Sequence, residues 1–150
     1  MYPTSDMSNP PFNNIPPIWF VRRREYLETS FQEILNLREK LTMFSGGNNV
    51  IKILDGVELL RELYSQVDAM ESTISANKSH SISEHDTYNK YELQRIKELT
   101  SSTANHLDAL ARQISWGVQY EKTVSQVKRN LNPLINLIQK TLRWIDQSSN

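Results

Sequence analysis

The chain contains no cysteine, so neither a disulfide framework nor a thiolate metal site is available to it. That absence fits a reducing, cytoplasmic setting, with a signal-less export route left open. Glycine and proline are scarce as well, at 4 and 6 residues, and five of the prolines fall within the first 17 positions. The remaining chain is almost free of helix breakers, which favours an all-α fold. There is no excess of either charge: 17 basic residues balance 17 acidic ones, and a balanced chain lacks the long-range field of an obligate nucleic-acid binder. Also missing are a run of about 18 apolar residues and a charged N-terminal region leading into an apolar one, so neither a membrane span nor a secretory signal is expected.

What is present is helical periodicity. Over residues 84–131, Ile96, Leu99, Leu107, Leu110, Ile114, Val118, Val124, Val127 and Leu131 recur at spacings of three and four or their sums, which places them on one broad helix face. Arg95, Lys97, Glu98, Asp108, Arg112, Glu121, Lys122, Lys128 and Arg129 lie between them as a mixed-sign polar face. A single helix of that span would be about 70 Å long at about 1.5 Å per residue, more than a compact domain of 150 residues needs. The pattern therefore implies an elongated bundle or a break inside the stretch. Thr100-Ser101-Ser102-Thr103 and Trp116-Gly117 are its two weak points.

In chain order, residues 1–17 read as a disordered arm rich in Pro, Asn and Ser. The first helix is expected over residues 18–44, with Phe20, Leu27, Phe31, Ile34 and Leu41 on a heptad-like stripe. Ser45-Gly46-Gly47-Asn48-Asn49 marks a tight helical hairpin, since glycine suits a helix end and asparagine caps the next start. A second helix follows over 49–76, with acidic positions between its apolar ones and Gly56 at a point where a neighbouring helix can approach closely. Residues 77–86 form a polar linker. A third helix is expected over 84–130 and a fourth over 133–146, because Asn132-Pro133 resembles a cap followed by first-turn proline. Residues 18–147 thus make one antiparallel bundle of three or four helices with coiled-coil-like packing.

Reactive constellations are hard to find. His80 and His85 stand beside Glu84 and Asp86, but without the repeated spacing that a metal site on a helix requires. His106 borders the apolar face of the long helix and reads as a boundary histidine. Arg22, Arg23 and Arg24 adjoin Trp19 and Phe20, a combination that suits a phosphate-binding patch, but Glu25, Glu28 and Glu33 follow and favour a salt-bridged helix start. Asp55, Glu58 and Glu62 lie on an outward acidic face instead of an inward one. No zinc-protease, nucleophile-elbow, dinucleotide or di-iron pattern occurs. The reading is a non-enzyme with no catalytic residue, metal or cofactor.

The sequence instead points to a helical scaffold that binds itself or another protein through apolar helix faces. Two stripes run beyond Ile114, and the second includes Trp116 and Tyr120; the last segment is apolar over more than half its circumference. Trp116, Tyr120, Leu134, Ile138, Leu142, Trp144 and Ile145 are the expected partner-binding residues, with the aromatic groups as anchors. The alternative is an exported or membrane-active helical protein that uses the same C-terminal helix; its few basic residues make a membrane surface the less favoured partner. Nucleic acid is not an expected partner.

Overall fold

A computed structural model describes residues 17–42, 50–77 and 84–148. They form four helices: α1 (Pro17–Thr42), α2 (Val50–Asn77), α3 (Glu84–Trp116) and α4 (Glu121–Ser148). The fold is all-α, a four-helix antiparallel bundle, with no strand among the described residues. Each helix packs against two others, in the cyclic order α1, α2, α3, α4, and the backbones of the diagonal pairs α1/α3 and α2/α4 do not approach closely. Cross-helix contacts give the direction. Arg24 near the start of α1 reaches Asp146 near the end of α4, and Lys97 early in α3 reaches Asp68 and Glu71 late in α2.

Each helix supplies an apolar stripe to one core. In α1 it is Leu27, Phe31, Ile34, Leu37 and Leu41; in α2 it is Ile53, Val57, Leu60, Leu63, Val67, Met70 and Ile74. α3 contributes Leu93, Ile96, Leu99, Ala104, Leu107, Leu110 and Ala111. Intervals of three and four keep these side chains over one another on one side of each helix, and burying each leucine or isoleucine stabilises the fold by about 1.5–3 kcal/mol before entropy is counted. Gly56 permits the close approach its position suggests: a methyl group there would meet Leu107 Cδ1 at 3.3 Å and Leu37 Cδ1 at 3.4 Å.

The expected third helix over 84–130 is divided, and the physical cause is Gly117. Its φ of 69° is a left-handed conformation, which costs an L-residue but not glycine. The Gly117 amide donates to the Ile114 carbonyl at 3.2 Å and the Val118 amide to Gln113 at 3.0 Å, the paired bonds of a Schellman termination. α4 then starts at Glu121 and runs straight past Asn132-Pro133, so those residues do not begin a helix. Pro133 removes a bond to the carbonyl of residue 129. Val127, Leu131, Leu134, Ile138, Leu142 and Ile145 nevertheless keep helical spacing through it and are all buried. Burial of that unbroken stripe outweighs the missing bond.

The threonine-serine run does not break α3 either. Thr100 and Thr103 are buried and donate back to the carbonyls of Lys97 and Leu99 at 2.9 and 2.6 Å, so their hydroxyls are satisfied without unwinding the helix. The N-terminal arm apart from Pro17, the Ser45-to-Asn49 hairpin and His80 lie outside the described residues, as does the side chain of His85.

Candidate interaction surface

Five of the seven residues expected to bind a partner are core. Leu134, Ile138, Leu142, Trp144 and Ile145 are all buried, with even the Trp144 indole only 5% exposed. They are therefore not presented as an apolar surface. The reason is the position of α4 between two neighbours, α1 on one side and α3 on the other. An apolar face wider than half a helix is what two flanking helices require.

The other two residues mark a corner that stays outside. Trp116, the last residue of α3, is 71% exposed, and Val118, one residue past the glycine turn, is 48% exposed. Tyr120 is half-buried and packs against the core at the start of α4. The corner is thus an indole and an isopropyl group flanking a hydrogen-bonded turn. Val118 was hidden in the sequence because it falls in step with Ile114; the signal that separates them is Gly117.

Three of the four arginines of α1 are used within the bundle. Arg23 donates to Gln66 of α2, while Arg24 donates to Asp146 at 2.6 Å and lies 3.6 Å from Glu28. The hydrogen bond to Asp146, reinforced by its charge, raises the Arg24 pKa further. Arg38 extends to Asn132 at 3.0 Å. His106 Nδ1 donates to the Ser102 carbonyl at 2.7 Å, which ties the imidazole to its own helix.

The most buried cation among the described residues is Lys97, whose ammonium lies 2.6 Å from Glu71, 2.9 Å from Asp68 and 5.8 Å from the centroid of the Tyr64 ring. The Glu71 hydrogen bond raises its pKa; burial opposes this and Asp68 assists it. Lys97, expected on the polar face, is buried because it falls in register with Leu93, Thr100 and Ala104. Lys140 makes a similar link from α4 to the buried Glu92 of α3 at 3.1 Å. Among the described residues no cluster of three potential metal ligands occurs.

Open clefts also lie between neighbouring helices. One, of about 370 Å³, lies between α1 and α2 over Leu37, Leu41, Ile53 and Leu59, with Lys40, Lys52, Glu33 and Asp55 at its rim. Another, of about 640 Å³, lies between α3 and α4, with Tyr91, Arg95, Pro133, Leu137, Gln139 and Arg143 in its walls. No described helix is long and apolar enough to cross a membrane. No family model, curated protein or solved structure matches this chain.

Proposed function

We propose that this chain is a helical interaction module that acts in protein assembly without catalysing a reaction, and that its apolar contact is the corner between α3 and α4. The observation that carries this reading is the exposure of Trp116 beside Val118 while the aliphatic stripes of all four helices are enclosed. Trp is enriched among residues that dominate binding energy, and a rigid turn limits the entropy lost when it docks. The apolar side of α4 is already engaged within the bundle, so a membrane role would require unpacking the core. Assembly requires no such rearrangement.

The test is solution mass by light scattering over a concentration series at about 0.5 M salt, where exposed charges are screened and apolar contacts persist. The wild type should gain mass with concentration, and Trp116→Ser with Val118→Ser should remain monomeric at unchanged helicity. A wild type that is monomeric throughout, or a double variant that associates equally well, removes the corner from assembly.

A further inference from the structure

The charges that cancel over the whole chain do not cancel helix by helix. α4 carries Lys122, Lys128, Arg129, Lys140 and Arg143 against Glu121 and Asp146 alone, so no acid interrupts it from Lys122 to Ile145. α2 carries Asp55, Glu58, Glu62, Asp68 and Glu71 against Lys52 and Arg61. These are the two helices that sit diagonally across the bundle, with no close approach of their backbones. A chain of zero net charge thus presents a basic face and an acidic face in opposite directions.

The two faces also match in length and direction. Both helices have 28 residues, and both run antiparallel to α3, hence parallel to each other. Glu71 pairs with Lys97, while Ser102 pairs with Asn130 and Glu92 with Lys140. Counting through these contacts puts Glu62 of α2 within about one turn of the level of Lys128 of α4. A second copy displaced sideways, without rotation, would set its Lys128 and Arg129 opposite Glu58 and Glu62. Asp55, Glu58, Glu62, Lys122, Lys128 and Arg143 have no ion pair among the described residues. Leu54, 42% exposed on α2, adds apolar surface beside the acids.

We infer that the occupant of the basic α4 face is the acidic α2 face of another copy of this chain. This deepens the assembly reading and rests on it, but through a different surface from the Trp116 corner. Because the contact joins two different faces, each added copy leaves one of each face open, and the product is an open row, not a closed dimer. Charge complementarity sets partner and register, and salt weakens the contact because these side chains are exposed.

The experiment is sedimentation of the full chain at about 0.02 M and about 0.5 M salt over a range of concentrations, with circular dichroism confirming the fold of every variant. A relocated variant combines Lys128→Glu, Arg129→Glu and Arg143→Glu on α4 with Glu25→Lys, Glu33→Lys and Glu39→Lys on α1, which keeps the net charge at zero. An inverted variant combines the same α4 changes with Asp55→Lys, Glu58→Lys and Glu62→Lys on α2, also at zero net charge. At low salt the wild type and the inverted variant should both grow in mass beyond what they reach at high salt, and the relocated variant should show no such extra growth. At high salt the growth carried by these faces should disappear, leaving any association through Trp116 to be read separately. A relocated variant that assembles like the wild type, an inverted variant that does not assemble, or growth that stops at a dimer would each overturn the inference. So would a low-salt monomer whose α4 face binds heparin, which would make a polyanion the occupant.

Discussion

Lys97 of α3 and Glu71 of α2 meet at 2.6 Å, with the lysine side chain 10% exposed and the glutamate 16%. The pair pins the early part of α3 to the late part of α2. Its two members are not equivalent in mutation. Glu71→Ala leaves the ammonium in place with Asp68 alone and should cost about 1–2 kcal/mol. Lys97→Met strands two neighbouring carboxylates, Asp68 and the 16% exposed Glu71, without their cation and should cost more, about 2–4 kcal/mol. Urea unfolding of both variants checks the asymmetry; equal losses would show that the bridge itself, not the stranded charge, sets the cost.

Alkaline pH should destabilise the bundle. The Lys97 pKa is raised above its ordinary 10.5, chiefly by the Glu71 hydrogen bond. Its contribution is fully present below 10.5 and is lost as pH rises through the folded value. The Tyr26 phenol is raised above 10.0, chiefly by burial, so the fold favours its neutral form and loses stability as pH climbs above 10. Both effects have the same sign. Denaturation midpoints measured from about pH 8 to pH 11.5 should fall in the upper part of that range, and Tyr26→Phe combined with Lys97→Met should flatten the decline.

Gly117 and Gly56 should respond differently to alanine. Nothing lies within 4 Å of a Cβ at Gly117, but φ is 69° there. Gly117→Ala should therefore cost about 1 kcal/mol for backbone reasons alone. At Gly56 the helix gains about 1 kcal/mol of propensity from alanine, offset by the tight approach of the Leu107 and Leu37 methyl groups. Gly56→Ala should lie near wild-type stability. Thermal unfolding of the two variants side by side provides the comparison.

Pro133 lies inside α4. Pro133→Ala restores an amide that can bond to the carbonyl of residue 129, and the gain in helix propensity is partly offset by a less restricted unfolded chain. A net stabilisation of about 1–2 kcal/mol is expected. A lower melting temperature would show that the proline ring packs usefully against its surroundings.

Ile138 is completely buried. Ile138→Ser should cost about 3 kcal/mol or more, through lost apolar burial, a cavity and a buried hydroxyl. Its unfolding midpoint should drop sharply, in contrast to Trp116→Ser, which should leave the midpoint nearly unchanged.

The stripes of the core were legible because periodicity is a local property: Leu107 and Leu110, or Leu60 and Leu63, declare one helix face from spacing alone. The boundary between α3 and α4 was less legible, since Ile114, Val118 and Val124 keep helical intervals across a glycine that a helix tolerates at modest cost. Asn132-Pro133 misled for the converse reason. It carries a strong start signal, yet the stripe from Val127 to Ile145 is continuous through it. The interaction surface suffered most, because Leu134 and Trp144 have the same apolar character whether they face a partner or a neighbouring helix of their own chain.

By itself, then, the sequence determined the helical class, the apolar stripes, and the charge carried by each helix. Only the tertiary structure decided where those charges face and which apolar residues remain outside. α1 and α3 flank α4 and enclose its wide apolar face, and the cyclic helix order sends the acidic and basic helices to opposite sides. A helix face is inner or outer only relative to neighbours brought together from distant positions in the chain, and residue spacing along one helix does not contain that information.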